Sequence, residues 1–131
     1  MSTANDAPSE QWLAYAVGDL AWTRGNINGG IWHGACFTAQ QAAEKALKAY
    51  IVSKRQTARR IHDLGALLEE CVKLDNSFDQ FKDECITLTE YYTVTRYPDK
   101  AQYADFTEAI AKEAYDFAEK IVTFVKEKLL G

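Results

Sequence analysis

The stretch Ala39-Gln-Gln-Ala-Ala-Glu-Lys-Ala-Leu-Lys-Ala-Tyr50 carries the clearest statement of fold class in the chain. It lies within a longer pattern in which Trp32, Ala35, Cys36, Ala39, Ala43, Ala46, Leu47 and Tyr50 fall on one side of a helix. That pattern predicts a helix from about Ile31 to Lys54. Its many alanines let a neighbouring helix approach near the short end of the ~8–10 Å interaxial range. Gln40, Gln41, Glu44, Lys45 and Lys48 are left for the remaining surface, with Glu44 and Lys48 spaced for an i,i+4 ion pair.

Upstream, Leu13, Ala16, Val17, Leu20, Thr23 and Ile27 make a second helical stripe, predicted to run from a Ser9 cap to about Asn26. Trp12, Tyr15 and Trp22 sit on an adjoining face. Asn28-Gly29-Gly30 then tolerates the positive φ of a tight helix–helix turn. Downstream, residues 55–61 read as a basic loop. His62-Asp63 opens a short helix with Leu64, Leu67, Leu68 and Cys71 on its apolar edge, and the Asp63 carboxylate suits the positive end of the helix dipole. Asn76-Ser-Phe-Asp79 starts a fourth helix whose seam is Phe78, Phe81, Cys85, Leu88 and Tyr92, and Pro98 stops it near Arg96. Asp105-Phe-Thr-Glu108 has the form of a capping box, opening a last helix to about Leu129 with the stripe Phe106, Ile110, Ala114, Phe117, Ile121, Phe124 and Val125. The reading is all-α: an up-and-down antiparallel four-helix bundle with one additional short helix, in a single domain over residues 1–131 with its core at about 9–129.

At 131 residues the chain suits one domain that needs neither metal nor disulfide to hold together. No run approaches the ~20 apolar residues of a membrane span, and the first residues lack the features of a signal peptide. With three widely spaced cysteines, this points to free thiols and a cytoplasmic location. Net charge is −4, which disfavours a nonspecific nucleic-acid coat. The segment from Glu44 to Arg60 nevertheless holds Lys45, Lys48, Lys54, Arg55, Arg59 and Arg60 against Glu44 alone. Such a segment meets a phosphate or an acidic partner, unless its charges are merely solvated.

No glycine-rich phosphate loop, zinc-ligand spacing or paired Glu-x-x-His arrangement is present, so neither a metal nor a cofactor is expected. What stands out is Tyr91-Tyr92-Thr93-Val94-Thr95-Arg96-Tyr97-Pro98-Asp99 at the end of the fourth helix. Arg96 presents a planar fork of donors that suits a phosphate, and Tyr91, Tyr97 and Tyr103 can stack on a base. The plainer alternative pairs Arg96 with the last carbonyls of its helix or with Asp99, and leaves His62 as a helix flank.

The Ala39–Tyr50 stretch, His62-Asp63-Leu64, Tyr91-Tyr92 and Thr95-Arg-Tyr-Pro-Asp99, in that order over about Trp12 to Leu129, closely resemble HEPN domains, most of all the small stand-alone prokaryotic members. The resemblance implies a helical bundle that homodimerises and is often paired with a minimal nucleotidyltransferase, commonly as toxin and antitoxin. Many members are metal-independent ribonucleases with an Arg-x4–6-His motif. In that chemistry histidine moves protons while arginine steadies charge on the phosphorus oxygens. Here Arg96 matches the arginine, but no histidine follows it; His33 and His62 both lie upstream. Asp99 and Tyr103 titrate too far from neutrality to replace an imidazole well.

The expected function is therefore nucleotide or RNA-phosphate binding without standard ribonuclease activity. Arg96 grips phosphate, Lys45 and Lys48 add positive potential, and Tyr97, Asp99 and Tyr103 lie alongside. One alternative is an atypical metal-independent endoribonuclease using Arg96 with Asp99 or His62. Another is a structural dimerisation module. Surplus aromatics at Trp12, Trp22, Trp32 and Tyr15 independently suggest a homodimer interface.

Overall fold

The computed structural model describes residues 7–57, 60–96 and 106–131, apart from the side chains of residues 94–96. The described residues form five α-helices: α1 (Ser9–Asn28), α2 (Trp32–Ser53), α3 (Leu64–Leu74), α4 (Lys82–Arg96) and α5 (Glu108–Leu130). A 3₁₀ segment, Asn76–Phe81, leads into α4. Side-chain pairs give the helix directions. Thr23 on α1 meets Thr38 on α2, whereas Asp19 meets Lys45, so these two helices are antiparallel. Tyr50 lies against Phe78 and Phe78 against Phe124, while at the other end Phe37 lies on Tyr92 and Tyr91 reaches Glu113. Hence α4 runs against α2 and α5, and α2 and α5 run parallel.

Helix α2 is the axis of the bundle and packs against all four other helices. This overturns the expected surface position of Gln40, Glu44 and Lys48, which are buried along with the alanines at 35, 39, 42, 43, 46 and 49. With four helices packed around it, α2 keeps too little solvent-facing surface to place them there. Lys45 and Gln41 remain half-buried.

The cost of position shows in α1, which lies on the outside. Only Ala16 and Thr23 of its predicted stripe are fully buried; Leu13, Leu20 and Ile27 are half-buried, and Val17 is exposed. The Thr23 and Thr38 hydroxyls touch at 2.7 Å, so α1 approaches α2 over small side chains. Gly30, with φ of 75°, turns the chain between them as predicted.

Three helix starts differ from the sequence reading in detail. Ser9 is the first helical residue and makes no capping bond; Pro8 holds the flanking position, and its carbonyl accepts from Gln11 and Trp12. Helix α4 is preceded by the 3₁₀ segment because the Asp75 carboxylate accepts from the Ser77 amide at 2.9 Å and its hydroxyl at 2.6 Å, closing a tighter turn. Thr107 caps α5 by accepting from the Ile110 amide, whereas Asp105 lies outside the described residues. Asp63 caps α3 as expected.

The core is filled by Leu47 and Ile51 of α2, Leu64, Leu67 and Cys71 of α3, Phe78, Cys85 and Leu88, and the Ala114, Ile121 and Val125 face of α5. Each large apolar side chain among these contributes on the order of 1.5–3 kcal/mol by leaving water. Asp75 also ties the 3₁₀ segment to the end of α5 through Lys128 at 2.8 Å. The bond from Lys128, then those from Ser77, hold the Asp75 carboxyl well below the usual carboxylate range. A depressed carboxyl stabilises the fold above its unfolded value near ~4 and loses that contribution as pH falls. Thermal melts of Asp75→Asn are therefore expected below the parent at pH 7, with the gap narrowing as pH falls from about 4 towards 2.

Candidate functional site

The end of α4, where the sequence concentrates its candidate residues, is pinned on two sides. The Tyr91 hydroxyl donates to Glu113 Oε1 of α5 at 2.7 Å, and burial together with that bond raises its pKa well above the ordinary phenol value. Tyr91 is thus a strut between helices. The Tyr92 ring stacks on Phe37 of α2, with centroids 5.3 Å apart and planes 25° from parallel. Because α2 and α4 are antiparallel, one turn (~6 Å) beyond Tyr92 corresponds to one turn before Phe37. Arg96, the last residue of α4, therefore ends its helix at the level of His33. The His33 ring lies edge-on to Phe106, which leads into α5, at 6.5 Å between centroids. The helix ends flanking residues 97–105 are both seated against the first turns of α2. Tyr97, Asp99 and Tyr103 lie outside the described residues, as does the Arg96 side chain.

His62 is placed elsewhere. Its Nδ1 lies 2.9 and 3.1 Å from the two carboxylate oxygens of Glu44, and its carbonyl accepts from Gln40 Nε2 at 3.1 Å. Glu44 is 11 positions beyond His33, about 16 Å along α2. Within one chain, His62 and the end of α4 are not brought together. Glu44 also receives Lys48 Nζ at 3.0 Å, with both side chains at least nine-tenths buried, and the Lys48 ammonium sits 5.4 Å from the centre of the Trp12 ring. The Glu44 carboxylate thus ties α2 to the start of α3, while the imidazole itself stays 60% exposed. Gln40 Oε1 and Trp12 Nε1 nearby are buried without a hydrogen-bond partner among the described residues.

The basic segment disperses in three dimensions. Lys45 pairs with Asp19, Lys48 with Glu44, and Lys54 lies over the Tyr50 ring. Arg55 and Arg60 are exposed, and Arg59 lies outside the described residues. The cysteines are free and buried; burial raises all three thiols, Cys36 and Cys85 to about 12, so they are held as inert thiols. Among the described residues, no group of His, Cys, Asp and Glu gathers to hold a metal. None of the described helices is long and apolar enough to cross a membrane.

The residue that spacing alone undervalues is His33. It precedes Arg96 by 63 positions, and no sequence separation announces the shared level; only the antiparallel register of α2 and α4 does. The parallel course of α2 and α5 adds a further property. Both N-termini open at this same end, where the positive ends of helix dipoles favour an anion. An arginine-bearing helix end beside two helix N-termini and an imidazole is suited to holding a phosphate.

The same architecture is found in solved relatives. The crystal structure of TT1696 from Thermus thermophilus superposes with a TM-score of 0.80 at 34% identity, over 92% of this chain and 97% of that one. ST0689, an archaeal HEPN homologue, gives 0.76 at 31% identity with the same coverage. No curated protein matches the chain. The HEPN domain profile matches residues 9–128, nearly the whole sequence. The order of elements, the match from end to end and both structural relatives agree that this chain belongs to the HEPN domain family.

Proposed function

We propose that this HEPN chain binds nucleotide or RNA phosphate at the junction of α4 and α5, as a homodimer paired with a minimal nucleotidyltransferase in a toxin–antitoxin type system. Arg96 grips the phosphate, and Tyr97, Asp99 and Tyr103 lie in the segment beside it. The reading rests above all on one observation: α4 ends at the level where the α2 and α5 N-termini open. A helix end braced by Tyr91–Glu113 and Tyr92–Phe37 offers its terminal arginine from a fixed base, which lowers the ordering cost of binding. Lys45 and Lys48, already neutralised by Asp19 and Glu44, contribute little positive field there.

Calorimetric titration with ATP and with a short single-stranded RNA tests the proposal. Arg96→Ala is expected to weaken binding of at least one of them tenfold or more, equivalent to about 1.4 kcal/mol, with an unchanged helical spectrum. Equal affinity in variant and parent defeats it.

His33 favours a second reading, a metal-independent endoribonuclease. Its imidazole stands at the level of Arg96, whereas His62 is engaged by Glu44. His33 then moves the proton and Arg96 steadies charge on the phosphorus oxygens. Under this reading, strong expression in bacteria arrests growth and His33→Ala relieves it, while His62→Ala does not. Intact RNA and normal growth remove the reading. Failure of both tests leaves a structural dimerisation module.

A further inference from the structure

A slot of about 520 Å³ runs between the outer edges of α3 and α4 and takes no part in the phosphate site. It stops at Glu90, about 9 Å along α4 from Arg96. Its floor is Leu68, Val72, Cys85 and Ile86. Leu68 and Cys85 are buried, but Val72 is only half-buried and Ile86 is 52% exposed, so the core continues here into apolar surface that the chain leaves in water. At the mouth Gly65 contributes no side chain. Apart from the Asp63 carboxylate, 3.2 Å away, nothing beyond its own helix backbone and chain neighbours lies within 4 Å of a Cβ placed there.

Protein interiors pack with few voids larger than a water molecule. This slot is far larger, falls in the size range of small-molecule sites, and offers water few partners on its apolar floor.

The course of the helices divides the charges at its rim. Only Asp75 and the 3₁₀ segment join α3 to α4, so the two run antiparallel and the start of α3 faces the later turns of α4. At that end stand Asp63 and Glu90, with Glu69 nearer the middle, and no basic side chain lines it. Lys73 and Lys82 lie at the other end beside Asp79, about 15 Å away along α3. Among the described residues neither Glu69 nor Glu90 is held in an ion pair.

We propose that this slot binds a small hydrophobic amine, with its apolar body on Leu68, Val72, Cys85 and Ile86 and its ammonium at the Asp63–Glu90 end. The site is independent of the phosphate reading above. The apolar body supplies the affinity, since each methylene taken from water tightens binding about fourfold. The rim carboxylates are exposed, so an ion pair there adds at most about fivefold and chiefly fixes the direction in which the ligand lies. An anionic ligand has no equivalent place: it is repelled at one end and meets Asp79 beside the lysines at the other.

Calorimetric titration of the full chain with octylamine, octanol and octanoate, which share one apolar body, tests the proposal. Octylamine is expected to saturate a single site, about three- to fivefold more tightly than octanol. Octanoate and the shorter butylamine are each expected to bind at least tenfold more weakly than octylamine. Thr89→Trp fills the slot from α4, and Ile86→Gln makes its floor polar; each is expected to weaken octylamine at least tenfold with an unchanged helical spectrum. Asp63 caps α3, so the charge is tested at the other two carboxylates. Glu69→Gln with Glu90→Gln is expected to erase the preference for octylamine over octanol while leaving octanol affinity unchanged. Absence of saturable octylamine binding, or equal affinity in the parent, Thr89→Trp and Ile86→Gln, overturns the site. Octanoate binding as tightly as octylamine, or a preference for the amine that survives the double carboxylate change, overturns the assignment of a cationic ligand. Butylamine binding as tightly as octylamine overturns the apolar body. ATP and RNA titration of Thr89→Trp reports on the phosphate site separately.

Discussion

Glu44→Ala is expected to destabilise this protein by about 3–5 kcal/mol, lowering its melting temperature by roughly 10–20 °C. The carboxylate is buried between Lys48 and His62, and removing it leaves the Lys48 ammonium buried without its anion. It also unties the approach to α3, because the Glu44–His62 bond is lost and only the Gln40 contact to the His62 carbonyl remains. The size of the effect comes from the orphaned charge and not from the intrinsic strength of the ion pair. Replacing both ions, as in Glu44→Gln with Lys48→Met, is therefore expected to cost much less than Glu44→Ala alone. Thermal melts of both variants check this. A loss below about 1 kcal/mol for Glu44→Ala would show that water reaches Lys48 in its place.

Phe78→Ala is expected to cost about 3–5 kcal/mol in urea unfolding. Phe78 is fully buried, with its ring 4.5 Å from Tyr50 and 5.0 Å from Phe124 between centroids. Phe81 adds an edge-on contact to Phe124 at 5.0 Å. Truncating Phe78 opens a cavity where α2, the 3₁₀ segment and α5 converge, and three elements cannot all close on one void. Phe78→Leu, which keeps much of the volume, is expected to lose clearly less. Since Tyr50 and His33 are separated by 17 positions of α2, about 25 Å, nucleotide binding by the folded Phe78→Ala protein should be unchanged. Weakened binding in a still-folded variant would mean that the two ends of the bundle are coupled.

These two residues also mark how legible the molecule was. Phe78 was readable because Phe78, Phe81, Cys85 and Leu88 keep their periodicity regardless of what packs on them. Glu44 was misplaced for a reason of geometry. Periodicity separates a buried side from an exposed one, but a helix packed against four others keeps only a narrow exposed strip, and polar residues off that strip must find partners inside. The candidate site shows the same division. Arg96 at a helix end followed from Pro98 and local sterics, whereas the level of His33 depends on how α2 and α4 slide against each other. Nothing in residue spacing encodes that offset.

Short-range residue patterns were enough to specify the helices, the Gly29-Gly30 turn, the Asp63 cap, the apolar faces of α3 and α5 and the family. The assembled bundle was needed to make α2 the axis, to consume Lys45 and Lys48 in ion pairs, to clamp His62 on Glu44, and to leave Tyr15 and Trp22 of α1 in water. Those outcomes depend on which helices become neighbours and in what register, and contacts between segments tens of residues apart leave no local trace in the chain.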